Sequence, residues 1–262
     1  MSLPRAHRRC YPSRRGATLV ELLVGLTLAG ILLGSAVSLM GTLSRAVGEG
    51  MARWDYLEAV RTVWVTTERE LRPGVPGRDW EVGADGVLRL RAFRGVGRVC
   101  GTGGEPGIHP VAWRGERLPV PGADSLLILG RDGGWRTAAL EAWSEAESSS
   151  GGDATDCGAN EAERTGWMQW EGAGSEPPVL VRGFERGAYS IQAGAFRYAR
   201  GEGGRQPLTP EIVASAEGYR RIGDGLVVEL VPSPAGGRAP GFIPTLLRVR
   251  VQPQPTAGPG VP

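Results

Sequence analysis

The residues able to do chemistry are few, and most sit in unpromising places. Of two histidines in 262 residues, only His109 lies beyond the first sixteen. A Ser-His-Asp nucleophile would have to recruit it, yet it sits in a Gly- and Pro-rich stretch with no Gly-x-Ser-x-Gly turn to serve. It reads as a surface-loop histidine. Gly101-Thr102-Gly103-Gly104 imitates a phosphate loop but lacks the Lys-Ser/Thr ending and a following helix pattern, so an ordinary loop is expected. Asp153, Asp156, Asn160 and Glu161 gather hard oxygens and form a weak calcium candidate, without the spacing of an EF-hand. A solvated acidic loop is the default there. No catalytic residue and no cofactor are expected, and the chain reads as a non-enzyme.

Glu21 is different. Ala17 to Ser44 reads ATLVELLVGLTLAGILLGSAVSLMGTLS, and Glu21 is its only charge. An acid at the centre of a membrane helix costs about 3 kcal/mol, less near an end, so a carboxylate kept in such a run points to function. The run itself would make a helix of about 42 Å, ample for a hydrocarbon core of about 30 Å. Residues 1–16 hold five Arg and no acid, which places the N-terminus in the cytoplasm and the body on the far side of a lipid bilayer. The rest of the chain has 25 Arg against 28 Asp and Glu, and a mildly acidic body makes nucleic acid an unlikely partner. Arg197, Arg200 and Arg205, with Arg220 and Arg221 downstream, read as a solvated basic face. Gly34-Ser35-Ala36 offers an ordinary signal-peptidase site, but the run exceeds the usual 7–15 apolar residues of a secretory signal, in the range of about two to four times.

Arg14-Arg15-Gly16-Ala17-Thr18-Leu19-Val20-Glu21-Leu22-Leu23-Val24 resembles the class III signal of type IV pilins and type II secretion pseudopilins. The resemblance implies that a prepilin peptidase cuts between Gly16 and Ala17, that Ala17 is N-methylated, and that Glu21 is the fifth mature residue. One departure is Ala17, where the family usually carries Phe. Cutting there creates an α-amine with a pKa near about 8. Glu21 can pair with that amine in its own chain or a neighbour, offsetting burial of both charges and fixing axial register. The resemblance further implies other pilins or pseudopilins and an inner-membrane assembly platform as partners. Gly122-Ala123-Asp124-Ser125-Leu126-Leu127-Ile128-Leu129 and Asp156-Cys157-Gly158 resemble W-type minor pilins, and the J-type minor pseudopilin is similar in architecture. The implied function is a minor pilin that primes or caps a type IV pilus. The alternatives are a minor pseudopilin of type II secretion and a single-span anchored binding domain that never polymerises. In an exported chain Cys100 and Cys157 are expected to form a disulfide.

The elements that must position Glu21 are legible from periodicity. No breaker occurs before Pro73, so one helix is expected over residues 18–72, apolar all round at first and amphipathic afterwards. Val47, Met51, Trp54, Leu57, Val60, Trp64 and Leu71 mark its expected packing face, and Gly48-Glu49-Gly50 its weak point. Gly30 and Gly34 form a small-residue stripe suited to helix packing in lipid. Short alternating runs follow, at 87–93, 125–130, 135–143, 165–170, 179–184, 189–198, 226–231 and 245–251, with a hairpin signal at Asp132-Gly133-Gly134. The expected fold is α+β and pilin-like, a long N-terminal helix on an antiparallel sheet. The expected divisions are a basic leader (1–16), an apolar helix (17–44), its amphipathic continuation (45–72), a β-rich head (73–251) and a disordered tail (252–262). Residues 144–163 are expected to form a loop.

Overall fold

A computed structural model describes residues 18–101, 107–146, 157, 163–172, 178–201, 203–223, 225–233 and 245–250. The leader and the tail of the sequence reading lie outside those residues. The chain divides into two units, Met1–Met51 and Ala52–Pro262.

Helix α1 spans Leu19–Leu71, 53 residues, or about 80 Å at 1.5 Å per residue. It runs through Gly48-Glu49-Gly50 without a break. Its end is set by Pro73, which cannot continue the helix, while Gly74 donates its N–H to Leu71 O at 3.0 Å. The Asp79 carboxylate then accepts the Val75 N–H at 2.9 Å and fixes the exit turn.

The face that α1 buries shares Val60 and Leu71 with the expected one but is otherwise rotated away from it. Tyr56, Ala59, Val60, Val63, Thr67, Glu70 and Leu71 are buried, whereas Trp54, Leu57 and Trp64 are 75, 47 and 45% exposed. The rotation is set by polar contacts. The Tyr56 hydroxyl donates to Leu230 O at 3.0 Å, Thr67 shares a 3.1 Å hydrogen bond with the Tyr219 hydroxyl, and Glu70 meets Arg94 at 2.8 Å. These groups satisfy one another inside the core, and apolar periodicity does not register them.

The head is antiparallel throughout its named ladders. Strands β1 (Trp80–Val82), β2 (Leu88–Val99), β3 (Ile108–Gly115), β4 (Ser125–Leu129), β5 (Trp135–Glu145), β6 (Arg164–Trp170), β7 (Leu180–Gln192), β8 (Ala195–Arg200) and β9 (Arg205–Pro207) form one sheet. Its order is β1-β2-β3-β6-β5-β4-β7-β8-β9, and β2 also pairs β7. That extra ladder closes six strands, β2-β3-β6-β5-β4-β7, into a barrel. Strands β10 (Val213–Ala214), β11 (Tyr219–Ile222), β12 (Gly225–Pro232) and β13 (Thr245–Arg250) form a second sheet, with β12 between β11 and β13.

Two apolar cores result. One joins Tyr56, Val60, Val63 and Leu71 of α1 to Leu88, Tyr189, Phe196, Leu226 and Val228. The other fills the barrel with Val111, Trp113, Leu126, Ile128, Leu140, Met168, Trp170 and Val181. The barrel is narrow, and glycines make room for Trp113. A Cβ at Gly95 or Gly183 would come within 2.4 or 2.5 Å of its ring.

Three readings of the sequence need correction. Residues 179–184 and 189–198 are not two strands divided at 185–188. β7 runs through that stretch, because Arg94 neutralises Glu185 and Gly187 leaves space for the Tyr198 ring. The turn comes later, at Ala193-Gly194, both with positive φ (48 and 76°) between the paired residues Gln192 and Ala195. His109 is not in a surface loop. It lies on β3, 2% exposed, and stacks on Trp170 at 4.7 Å. Pro110 disguised that strand. It falls just past the β2 ladder, which ends at Val111, so its missing N–H costs no bond on that side. Arg197 does not belong to a solvated face, since it is half-buried and reaches Glu211 at 3.3 Å, whereas Arg200 stays exposed while its guanidinium reaches the buried Glu185 at 2.7 Å.

Candidate functional site

The first unit carries the apolar part of α1. Every large apolar side chain from Leu19 to Leu43 is at least half exposed, from 52% at Val24 to 77% at Leu19. A Cβ on Gly30 or Gly34 would meet nothing within 4 Å. Nothing in this chain covers that surface among the described residues. Its hydroxyls are satisfied internally: Thr27 donates to Val24 O at 2.9 Å, Ser35 to Ile31 O at 2.8 Å, and Thr42 to Leu39 O at 2.8 Å. A helix that pairs its own polar groups can enter hydrocarbon at low cost. By length and composition α1 is long and apolar enough to cross a membrane.

Glu21 sits at the start of that helix. Its Oε2 accepts the Thr18 N–H at 3.0 Å and the Thr18 hydroxyl at 3.3 Å, and its own N–H donates to Thr18 Oγ1 at 3.3 Å. This is a capping box, in which two backbone donors of the first turn are satisfied reciprocally. The Thr-x-x-Glu spacing announces it in the sequence, beside the register role that the resemblance implies for Glu21. The carboxylate therefore faces the backbone one residue beyond Ala17. Gly16 and Ala17 themselves lie outside the described residues.

The second unit holds a buried ionic network that the sequence reading missed. Arg94, bulged out of β2 between Phe93 and Gly95, meets Glu70 of α1 at 2.8 Å and Glu185 of β7 at 2.8 Å. The Tyr198 hydroxyl donates to Glu185 at 2.7 Å. Arg117, after β3, reaches Glu185 at 3.0 Å and Asp124 at 2.5 Å, and Arg200 of β8 reaches both acids. Asp124 also accepts the Val120 N–H at 2.8 Å. Three arginines and three carboxylates thus balance where the helix-packed core meets the barrel.

The electrostatics follow from that geometry. Burial alone would raise Glu185, but the Tyr198 hydroxyl and the Arg94 guanidinium outweigh it and hold its carboxyl below the ordinary range. Asp124 is likewise lowered, against burial, by Arg117 and the Val120 N–H. Burial would lower Arg94, yet Glu70 and Glu185 raise it. The network is a saturated clamp in which each of these charges has an opposite partner.

At the far end of the barrel, Cys100 and Cys157 are joined as a disulfide, with Cα atoms 5.1 Å apart. Arg98 donates to Cys157 O. Asp153, Asp156, Asn160 and Glu161, the calcium candidates, lie outside the described residues, as do residues 102–104 of the Gly-rich loop. Among the described residues, no group of three or more His, Cys, Asp or Glu is placed to hold a metal ion.

No curated protein and no solved structure matches the chain. Residues 11–37 match the family model described as the prokaryotic N-terminal methylation motif, and that match supports a type IV pilin or pseudopilin.

Proposed function

We propose that this chain is a minor type IV pilin, a structural subunit that primes or caps a pilus after a prepilin peptidase cuts between Gly16 and Ala17. One observation carries the reading. The methylation motif at 11–37 runs directly into α1, whose apolar side chains have no cover in this chain and whose only early charge is Glu21. An apolar helix face left open over its whole circumference suits lipid before assembly and neighbouring helices afterwards. In this reading the N-terminus is cytoplasmic and the head lies outside, an orientation that the Arg-rich flank supports. Gly30 and Gly34 are open to a neighbouring helix, and Ala17 is the residue that would carry the methyl group.

Glu21 has two parts in this scheme. In the free subunit it caps its own helix through Thr18. In the fibre it pairs with the Ala17 amine of its own or an adjacent chain and sets the axial register. Glu21→Ala should leave the head folded and the subunit in the membrane, yet cut its recovery in sheared fibres by tenfold or more. Wild-type recovery of Glu21→Ala in fibres would reject the register role. The minor pseudopilin of type II secretion is the second reading, since the same motif and helix serve it. Deletion distinguishes the two by whether surface pili or secreted proteins are lost.

A further inference from the structure

A groove of about 470 Å³ opens in the second unit beside the end of α1, along β2, β3 and β7. It faces away from the barrel interior, because side chains alternate along a strand and Val111, Trp113 and Val181 point inward. Val96 of β2 registers with Arg114 of β3 on one side and with Arg182 of β7 on the other. Two arginines therefore flank an exposed valine, about 10 Å apart across two strand spacings.

Both arginines have unspent capacity. Arg114 is exposed and has no carboxylate within ion-pair distance among the described residues. Arg182 is half-buried; its guanidinium lies 3.8 Å over the Phe93 ring and donates one hydrogen bond, to Pro73 O at 3.1 Å. A guanidinium offers five N–H donors, and Arg182 too lacks a carboxylate partner among the described residues. Burial lowers its pKa, with the Asp79 charge offsetting part of the effect. The other cations of this groove are occupied, Arg69 by Glu70 and Glu116 and Arg94 by the buried network. A neighbouring groove of about 510 Å³ has its Arg78 and Arg91 on Asp79 and its Arg89 on Asp85, which leaves it one cation, Arg186, without a carboxylate partner among the described residues.

We propose that this groove docks a carboxylate-bearing segment of another protein, with its acids on Arg114 and Arg182 and an apolar side chain between them on Val96. An acidic peptide fits better than nucleic acid. Only two guanidiniums are open, Glu70 and Glu116 also line the groove, and beyond residue 16 the chain is net negative, so a continuous phosphate backbone would be repelled along most of its length. The groove is built from residues of the second unit alone, so the proposal does not depend on fibre assembly.

Isothermal titration of the full chain in detergent micelles tests it, with acetyl-Asp-Glu-Val-Glu-Asp-amide as probe and the Asn/Gln analogue as control. Saturable binding of the acidic peptide is expected, weakening as NaCl is raised, with none for the analogue. Arg114→Gln, at an exposed position that keeps the fold, should weaken it at least tenfold, and Arg182→Gln should do the same. Equal binding of both peptides, or unchanged binding by Arg114→Gln, would overturn the proposal. So would an oligothymidine of equal charge that binds more tightly and displaces the peptide.

Discussion

Glu185 shows how much one residue holds together here. The residue is 5% exposed, and its carboxylate engages Arg94, Arg117, Arg200 and Tyr198 at once. Removing one member of a buried ionic cluster leaves its partners uncompensated, at a cost of about 3–5 kcal/mol. Because Glu185 and Asp124 both have lowered folded-state pKa values, their contribution is fully present above the unfolded carboxylate range, about 4, and is lost as pH falls through the folded values. Thermal unfolding followed by circular dichroism should therefore show the melting temperature of the head falling steeply below about pH 4. Glu185→Gln should unfold at a lower temperature at pH 7 and show a shallower acid limb. A mutant with the wild-type acid limb would mean that the network does not govern acid stability. None of this was visible in sequence. Isolated charges within strands look like a solvated face, and Arg200 was read as part of one. Its true partners lie 15 and 76 residues away along the chain, roughly the scale at which local pattern is silent.

Among the elements, α1 was the most legible, because a long run without breakers and a single early charge are local properties. Its expected bounds differ from the observed ones by one residue at each end. Which face it buries was legible only at Val60 and Leu71, since Tyr56, Thr67 and Glu70 reach the core through polar contacts. The strands at 125–129 and 164–170 were legible from alternation, but β3 was hidden by Pro110 and the barrel by a β2–β7 ladder between segments about ninety residues apart. The β7–β8 hairpin was missed for a physical reason: Ala193 occupies a left-handed position that Asn or Gly usually fills. Strain at such a position costs an alanine on the order of 1 kcal/mol. Ala193→Asn, which completes an Asn-Gly turn with Gly194, should raise the urea midpoint of the head by an amount equivalent to about 0.5–1 kcal/mol. A lowered midpoint would mean that the turn is not strained at Ala193.

For the molecule as a whole, the head and the N-terminal segment carry different information. The head has two cores, a charge-balanced clamp between them and, among the described residues, no group of three or more His, Cys, Asp or Glu placed to hold a metal ion. The N-terminus has a motif, a helix long enough to span a membrane and one acid placed to cap it. The account rests on the second of these being processed. The most direct test is the mass of the N-terminal peptide from protein isolated from its native membrane. A peptide beginning at Ala17, with or without an added methyl group, is the predicted result. A peptide beginning near Val37, or an intact N-terminus from Met1, would contradict it.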